Sequence, residues 1–272
     1  MNTLAAILLA STLVYPKTVP KGVKVERDIE YARVGDKALL LDLYVPDKPT
    51  AKPMPVVVWI HSGAWAGGSK RGGCPALGLV GKGFAVAAVD YRLTRDKVTW
   101  PVFLHDCKAA VRWLRGSAKQ YNLDPGHIGA WGSSAGGHLA AMLGLTCGDK
   151  NLEGDVGQHL DQSSCVQAVI DWCGATTRAS HLAGRDGARP SGNPVDYAHA
   201  KAPPILIMHG DADATIPFSD SEALRDALQK AGAPVTFHAI PSAGHDFGNA
   251  GEETVRDIVR QCEGFMEKHL RP

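Results

Sequence analysis

Gly132-Ser133-Ser134-Ala135-Gly136 puts a serine at the centre of a G-x-S-x-G pattern, between a run that reads as a strand (127–133) and one that reads as a helix (135–145). Such a turn is too tight for side chains at the flanking positions, hence glycine. It lifts the serine oxygen above the sheet edge, at the positive end of the following helix. The bland alternative is a glycine-rich turn that merely lets helix and strand pack closely. A hydroxyl is a weak nucleophile, so Ser134 needs a base, and the base needs an orienting carboxylate. Candidates follow in the required order: Asp211 and Asp213 after the apolar run 204–210, then His245 beside Gly244 after the run 235–241. Both loops fall at C-terminal strand ends, where open α/β sheets place their ligands. The chemistry such a set supports is acyl transfer. His61, His138 and His209 are expected to serve structure, through hydrogen bonds to loops near the site.

The elements that must position these residues alternate between short apolar runs and longer helical patterns. This is the signature of an α/β fold whose mainly parallel central sheet carries helices on both faces. VKVERDIEYARV and KALLLDLYVP, split by Gly35-Asp36, read as an antiparallel N-terminal hairpin at the sheet edge. MPVVVWIH (54–61) and FAVAAVDY (84–91) are near-continuous apolar runs, as strands buried on both faces should be. A helix is expected over about 100–121, a strand over 165–172, and further helices at about 218–231 and 251–270. No repeat or Pro/Gly-rich linker divides the chain, so 22–272 reads as a single domain.

Composition narrows the classes. The chain has 272 residues, 44% apolar and 21% charged, with 29 Lys plus Arg against 28 Asp plus Glu. With no basic block, nucleic acid is not an expected partner. GAWAGGSK (63–70) resembles a phosphate loop superficially, but Lys and Ser stand in the wrong order. No His-x-x-x-His pair or acidic cluster has metal-ligand spacing, so neither a catalytic metal nor another cofactor is expected.

Residues 1–21 contain an apolar run, Leu4–Val14, of signal-peptide-core length and too short to span a bilayer. It lacks a preceding Lys or Arg and a clear cleavage site. The expectation is an exported protein, periplasmic or extracellular; the alternative is a cytoplasmic one whose N-terminal extension packs on the domain. Nothing later in the chain reads as a membrane span. Among six cysteines there is no Cys-x-x-Cys. A Cys147–Cys165 bridge would close the polar segment between them and add about 3 kcal/mol; buried free thiols are the equal alternative.

Taken together, HSGAW (61–65), VDYRL (89–93), GSSAGGHLAAMLGL (132–145), HGDADATIP (209–217) and AGHDF (243–247) resemble the α/β-hydrolase esterases related to bifunctional feruloyl and acetyl xylan esterases. The likeness runs from about Val23 to the C-terminus. HGDADATIP is similar to the His-Gly-x-x-Asp-x-x-Val-Pro pattern of these hydrolases, which favours Asp213 over Asp211 as the acid and leaves Asp211 to cap its loop. HSGAW resembles the His-Gly-Gly-Gly-Trp loop whose amides stabilise an oxyanion. By that match the donors are Gly63, Ala64 and Ala135, with Ser62 and Ala64 standing where glycine is usual. Ala64 can serve if its φ is negative. Tyr91-Arg92 is expected to brace this loop, and Trp65 is a candidate wall of the substrate pocket, with ordinary loop packing as its alternative.

The resemblance implies a serine carboxylesterase for short-chain or aromatic acyl esters, with a carbohydrate-borne ester as the favoured substrate. A short, polar cap at about 174–203 implies an open site, unless the segment between Cys147 and Cys165 folds over it. The rivals are a serine peptidase of the prolyl-oligopeptidase type, disfavoured because only about twenty residues precede the first strand, and a hydrolase-fold binding protein without catalysis. A dienelactone hydrolase is disfavoured because its nucleophile is a cysteine.

Overall fold

The structure, a computed structural model, describes residues 18–177 and 190–271. The N-terminal apolar run and the middle of the expected cap lie outside the described residues. Among the described residues, eight strands and six α-helices build the fold: β1 (Val23–Val34), β2 (Lys37–Pro46), β3 (Met54–Ile60), β4 (Ala85–Val89), α1 (Val102–Gly116), α2 (Ala118–Tyr121), β5 (Leu123–Ser133), α3 (Ala135–Leu145), α4 (Lys150–Glu153), β6 (Ala168–Trp172), β7 (Ile205–Gly210), α5 (Phe218–Ala231), β8 (Val235–Ile240) and α6 (Glu252–Leu270). The strands form one sheet in the order β1-β2-β4-β3-β5-β6-β7-β8. β1, β2 and β4 pair antiparallel, and every pairing from β4 to β8 is parallel. The fold is that of an α/β-hydrolase.

β3 and β4 are apolar and buried at every position because both faces are covered. Val56, Val58 and Ile60 of β3 face one core with residues of α1, α3 and α5, while Val57 and Trp59 face the other with residues of α6. On that second face Trp59, Trp131 and Trp172, from β3, β5 and β6, pack edge to face at 5.1–6.4 Å. Phe247 extends the stack at 5.2 Å from Trp172. Aromatic edge-to-face contacts are directional as well as apolar, so this stack seats the loop that carries His245.

Two expectations about the elements change. The helix expected over 100–121 divides at Ser117 into α1 and α2, where Gly116 and Ser117 are weak helix formers. The segment between Cys147 and Cys165 does not fold over the sheet's C-terminal edge; it is docked on α1. The two cysteines form a disulfide, and the buried side chains of Lys108 and Arg112 reach from α1 to the Glu153 carboxylate at 3.0 and 2.7 Å. Arg115 adds a bond to the Cys165 carbonyl at 2.9 Å. Buried cations need such partners, and these partners fix the segment away from the strand ends. The described ends of the cap region are also tied down. Thr176 and Thr177 donate their amides to Asp220, at 3.1 and 3.2 Å, and Trp100 Nε1–H donates to Pro190 at 3.0 Å.

Candidate active site

Close packing dictates the turn at Ser134. A side chain at Gly132 would place Cβ 2.1 Å from the Gly136 carbonyl oxygen, and one at Gly136 would lie 2.0 Å from that of Ile60. Ser134 itself has φ 54 and ψ −117, a conformation that costs free energy and persists because its surroundings hold it. Its N–H donates to the Trp172 carbonyl at 2.8 Å, and its own carbonyl accepts the His138 N–H, opening α3.

The structure brings Ser134, His245 and Asp213 into one hydrogen-bonded chain. His245 Nε2 lies 2.9 Å from Ser134 Oγ, and Nδ1 lies 2.6 Å from Asp213 Oδ2. A carboxylate only accepts, so Nδ1 carries the ring proton and Nε2 accepts the serine O–H. The Asp213 side chain is wholly inaccessible to solvent. Its Oδ1 accepts the amides of Thr215 and Ile216 at 2.7 and 2.9 Å, while His209 Nε2 donates to Oδ2 at 3.1 Å. Burial opposes its charge, but these bonds from His209, His245 and Ile216 outweigh burial and hold the carboxyl well below its usual range. Asp211 is exposed and accepts the Ser242 N–H at 2.6 Å, linking the acid loop to the base loop. Burial likewise opposes charge on His245, yet the bond to Asp213 and the negative charges of Asp246 and Asp213 raise its pKa.

The loop after β3 turns sharply. Ala66 and Gly67 both donate their amides to the Gly63 carbonyl, at 3.0 and 2.9 Å, and Gly63 has φ 123. A side chain there would lie 2.3 Å from the Gly67 oxygen. This turn carries Ala64 and Trp65 into the left-handed region, φ 52 and 56. The negative φ on which Ala64's service as a donor depended is therefore not found: the five-residue turn closing on Gly63 requires the opposite sign. Among the described residues, the amides of Gly63 and Ala64 donate to no other group. Gly136 packed on Ile60 sets the α3 N-terminus, with Ala135, against this loop.

Tyr91 stacks on the His61 ring at 4.5 Å and donates its hydroxyl to the His61 carbonyl at 3.1 Å. Arg92, expected to share that task, instead forks onto the buried Asp106 of α1, at 2.6–3.1 Å, a carboxylate with no access to solvent that needs a cationic partner. The half-buried indole of Trp65 lies edge-on to His138, 5.3 Å away, with its Nε1 buried. His138 is fully buried, and burial lowers its pKa to about 4; its neutral ring bonds the Gly192 carbonyl at 2.7 Å.

Three contributors escape a linear reading. Lys70, almost buried, bonds Asp28 at 2.8 Å and Asp90 at 3.2 Å and gives its amide to Asp90 at 2.7 Å, anchoring the end of the loop after β3. Asp246 accepts the Ser133 hydroxyl, tying the His245 loop to the serine turn. Cys173 Sγ lies 3.5 Å from the same Asp246 oxygen. The partners are far apart in sequence, and only Asp246, adjacent to His245, carried any local signal.

A family model described as BD-FAE matches residues 41–183, more than half of the chain, and one described as the prolyl oligopeptidase family matches 163–272. Esterase LipQ of Mycobacterium tuberculosis is 29% identical over 88% of this chain and 61% of its own length. A probable isoprenylcysteine alpha-carbonyl methylesterase of Oryza sativa is 28% identical over 86% and 62%. The chain thus spans about three-fifths of these curated relatives. Among solved structures, Thermogutta terrifontis esterase 2 phosphoramylated by tabun superposes with a TM-score of 0.80 at 30% identity, covering 96% of this chain and 100% of that one. A truncated carbohydrate esterase from gut microbiota gives 0.76 at 28% identity, covering 89% and 96%.

Proposed function

Because the chain belongs to the BD-FAE family, we propose that it is a serine ester hydrolase working through an acyl-enzyme. The observation that carries this reading is the chain Ser134–His245–Asp213 at 2.9 and 2.6 Å. His245 takes the Ser134 proton as Oγ attacks the ester carbonyl, then delivers it to the departing alkoxide. Water repeats the sequence on the acyl-enzyme through the same base. Asp213 holds the imidazole in its working tautomer. The amides of Gly63 and Ala135 are the donors for the tetrahedral oxyanion, each worth about 3 kcal/mol in the transition state; Ala64, at φ 52, does not meet the condition set for it.

The substrates we propose are short-chain or aromatic acyl esters, carbohydrate-borne in nature. Support comes from the gut carbohydrate esterase and from Thermogutta esterase structures with propionate and butyrate bound. The Cys147–Cys165 bridge supports export to an oxidising compartment. A p-nitrophenyl ester series from acetate to palmitate, run beside acetylated xylan and methyl ferulate, tests the substrate class. Fast turnover of short chains with acetate or ferulate release is expected. A preference for palmitate would overturn the substrate reading, and full activity in Ser134→Ala would overturn the mechanism.

A serine peptidase is the second reading, favoured by the match of 163–272 to the prolyl oligopeptidase family. Release of p-nitroaniline from aminoacyl-prolyl anilides at rates above ester hydrolysis would select it.

A further inference from the structure

At the proposed base, three side chains of zinc-ligand type, the base among them, meet from two loops. Cys173 follows the last residue of β6 with φ 43, and Asp246 follows His245 with φ 53. Both left-handed residues turn their chains so that a thiol, an imidazole and a carboxylate converge, with ligand atoms all within 4.8 Å of one another. Cys173 Sγ and Asp246 Oδ1 are already 3.5 Å apart, about the spacing of two ligands on a tetrahedral zinc ion. We propose that Cys173, His245 and Asp246 form a site for a zinc-class divalent cation, and that filling it switches the enzyme off.

The inhibition follows from the partners of the ring. His245 gives one nitrogen to Ser134 and the other to Asp213, so a cation held by this imidazole takes it from one of them. Either loss disarms the acyl-transfer reading on which this inference rests. Charge favours the cation: the Asp246 carboxylate lies in the site, and that of Asp213 bonds the same imidazole. On binding, the thiol proton passes to solvent as the sulfur–metal bond forms. The site is inhibitory, not catalytic. Spacing rules could not reveal it, since Cys173 reaches the other two only through the adjacency of β6 and the serine turn.

Zinc chloride titrated into full-length protein hydrolysing p-nitrophenyl acetate tests the proposal, with each variant referred to its own zinc-free rate. Micromolar inhibition reversed by EDTA is expected, with Cys173→Ser and Cys173→Ala both raising the half-inhibitory concentration about tenfold or more. Cobalt(II) added to Ser134→Ala should give a thiolate-to-metal charge-transfer band that Cys173→Ser removes. Hydrolysis unaffected by millimolar zinc, or equal inhibition of wild type and both Cys173 variants, would overturn this inference and leave the esterase reading intact. An absence of hydrolysis in metal-free protein that also resists a fluorophosphonate probe would overturn the esterase reading instead.

Discussion

His209 donates its Nε2–H to the same oxygen of Asp213 that holds His245, at 3.1 Å against 2.6 Å. Its other nitrogen, Nδ1, is fixed by the Ser221 hydroxyl at 2.7 Å, so β7 and α5 together aim this second imidazole. Two ring N–H groups and two backbone amides therefore converge on one buried carboxylate. Asp213 stays ionised throughout the working pH range, and the pH response on the acid side belongs to His245.

Only the neutral imidazole can accept the Ser134 proton, and the pKa of His245 is raised above its ordinary 6.5. The expected kcat/KM therefore climbs with pH to a plateau, with its half-maximal point above 6.5. Asp246→Asn keeps an oxygen for the Ser133 hydroxyl but removes a negative charge, so the half-maximal point should move down. An unchanged or rising midpoint in that variant would show that Asp246 does not act on the base.

Asp213→Asn removes the acceptor charge and leaves His245 free to adopt the wrong tautomer. Its kcat should drop by about four orders of magnitude. Asp211→Asn retains the oxygen that takes the Ser242 amide, and should cost less than about tenfold because one neutral hydrogen bond replaces a charge-assisted one. Steady-state kinetics decide; comparable losses in the two variants would contradict the assignment.

Ala64 occupies a conformation that costs an L-residue about 1 kcal/mol or more. Ala64→Gly should raise stability by about 1 kcal/mol, seen as a higher midpoint in urea, with esterase activity kept. A lower midpoint would mean that the turn does not hold Ala64 at φ 52.

Asp171 lies buried on β6, where burial raises its carboxyl from 3.8 to about 6 despite the nearby His209 and a bond from the Gly174 amide. The folded chain thus holds a proton that the unfolded chain releases. Its contribution is complete below the ordinary value and is lost as pH rises from about 4 to about 6, a change of about 3 kcal/mol. Asp171→Asn should flatten that part of the stability profile and stabilise the protein at neutral pH. Parallel urea titrations at pH 4 and 7.5 would show it, and an equal effect at both would refute it.

The sequence by itself determined the layered α/β architecture and the order of the site residues. Both depend on local physics. A strand buried on both faces must be apolar at every position, as Val56–Ile60 are, and a turn that packs Gly132 on Gly136 admits no Cβ. Such constraints are written residue by residue, so Ser134 and the loops of Asp213 and His245 could be found without a structure.

Tertiary structure decided what depends on residues distant in the chain. The left-handed Ala64 follows from the turn closing on Gly63, whatever its own intrinsic preference. Asp106 drew Arg92 away from the loop it was expected to brace, and Glu153, held by Lys108 and Arg112, placed the disulfide segment on α1. The convergence of Ser133, Cys173 and Asp246 is of the same kind. Desolvated polar groups take whichever partner the fold brings within hydrogen-bond reach. That reach is set by how strands and helices pack in three dimensions, and no spacing along the chain encodes it.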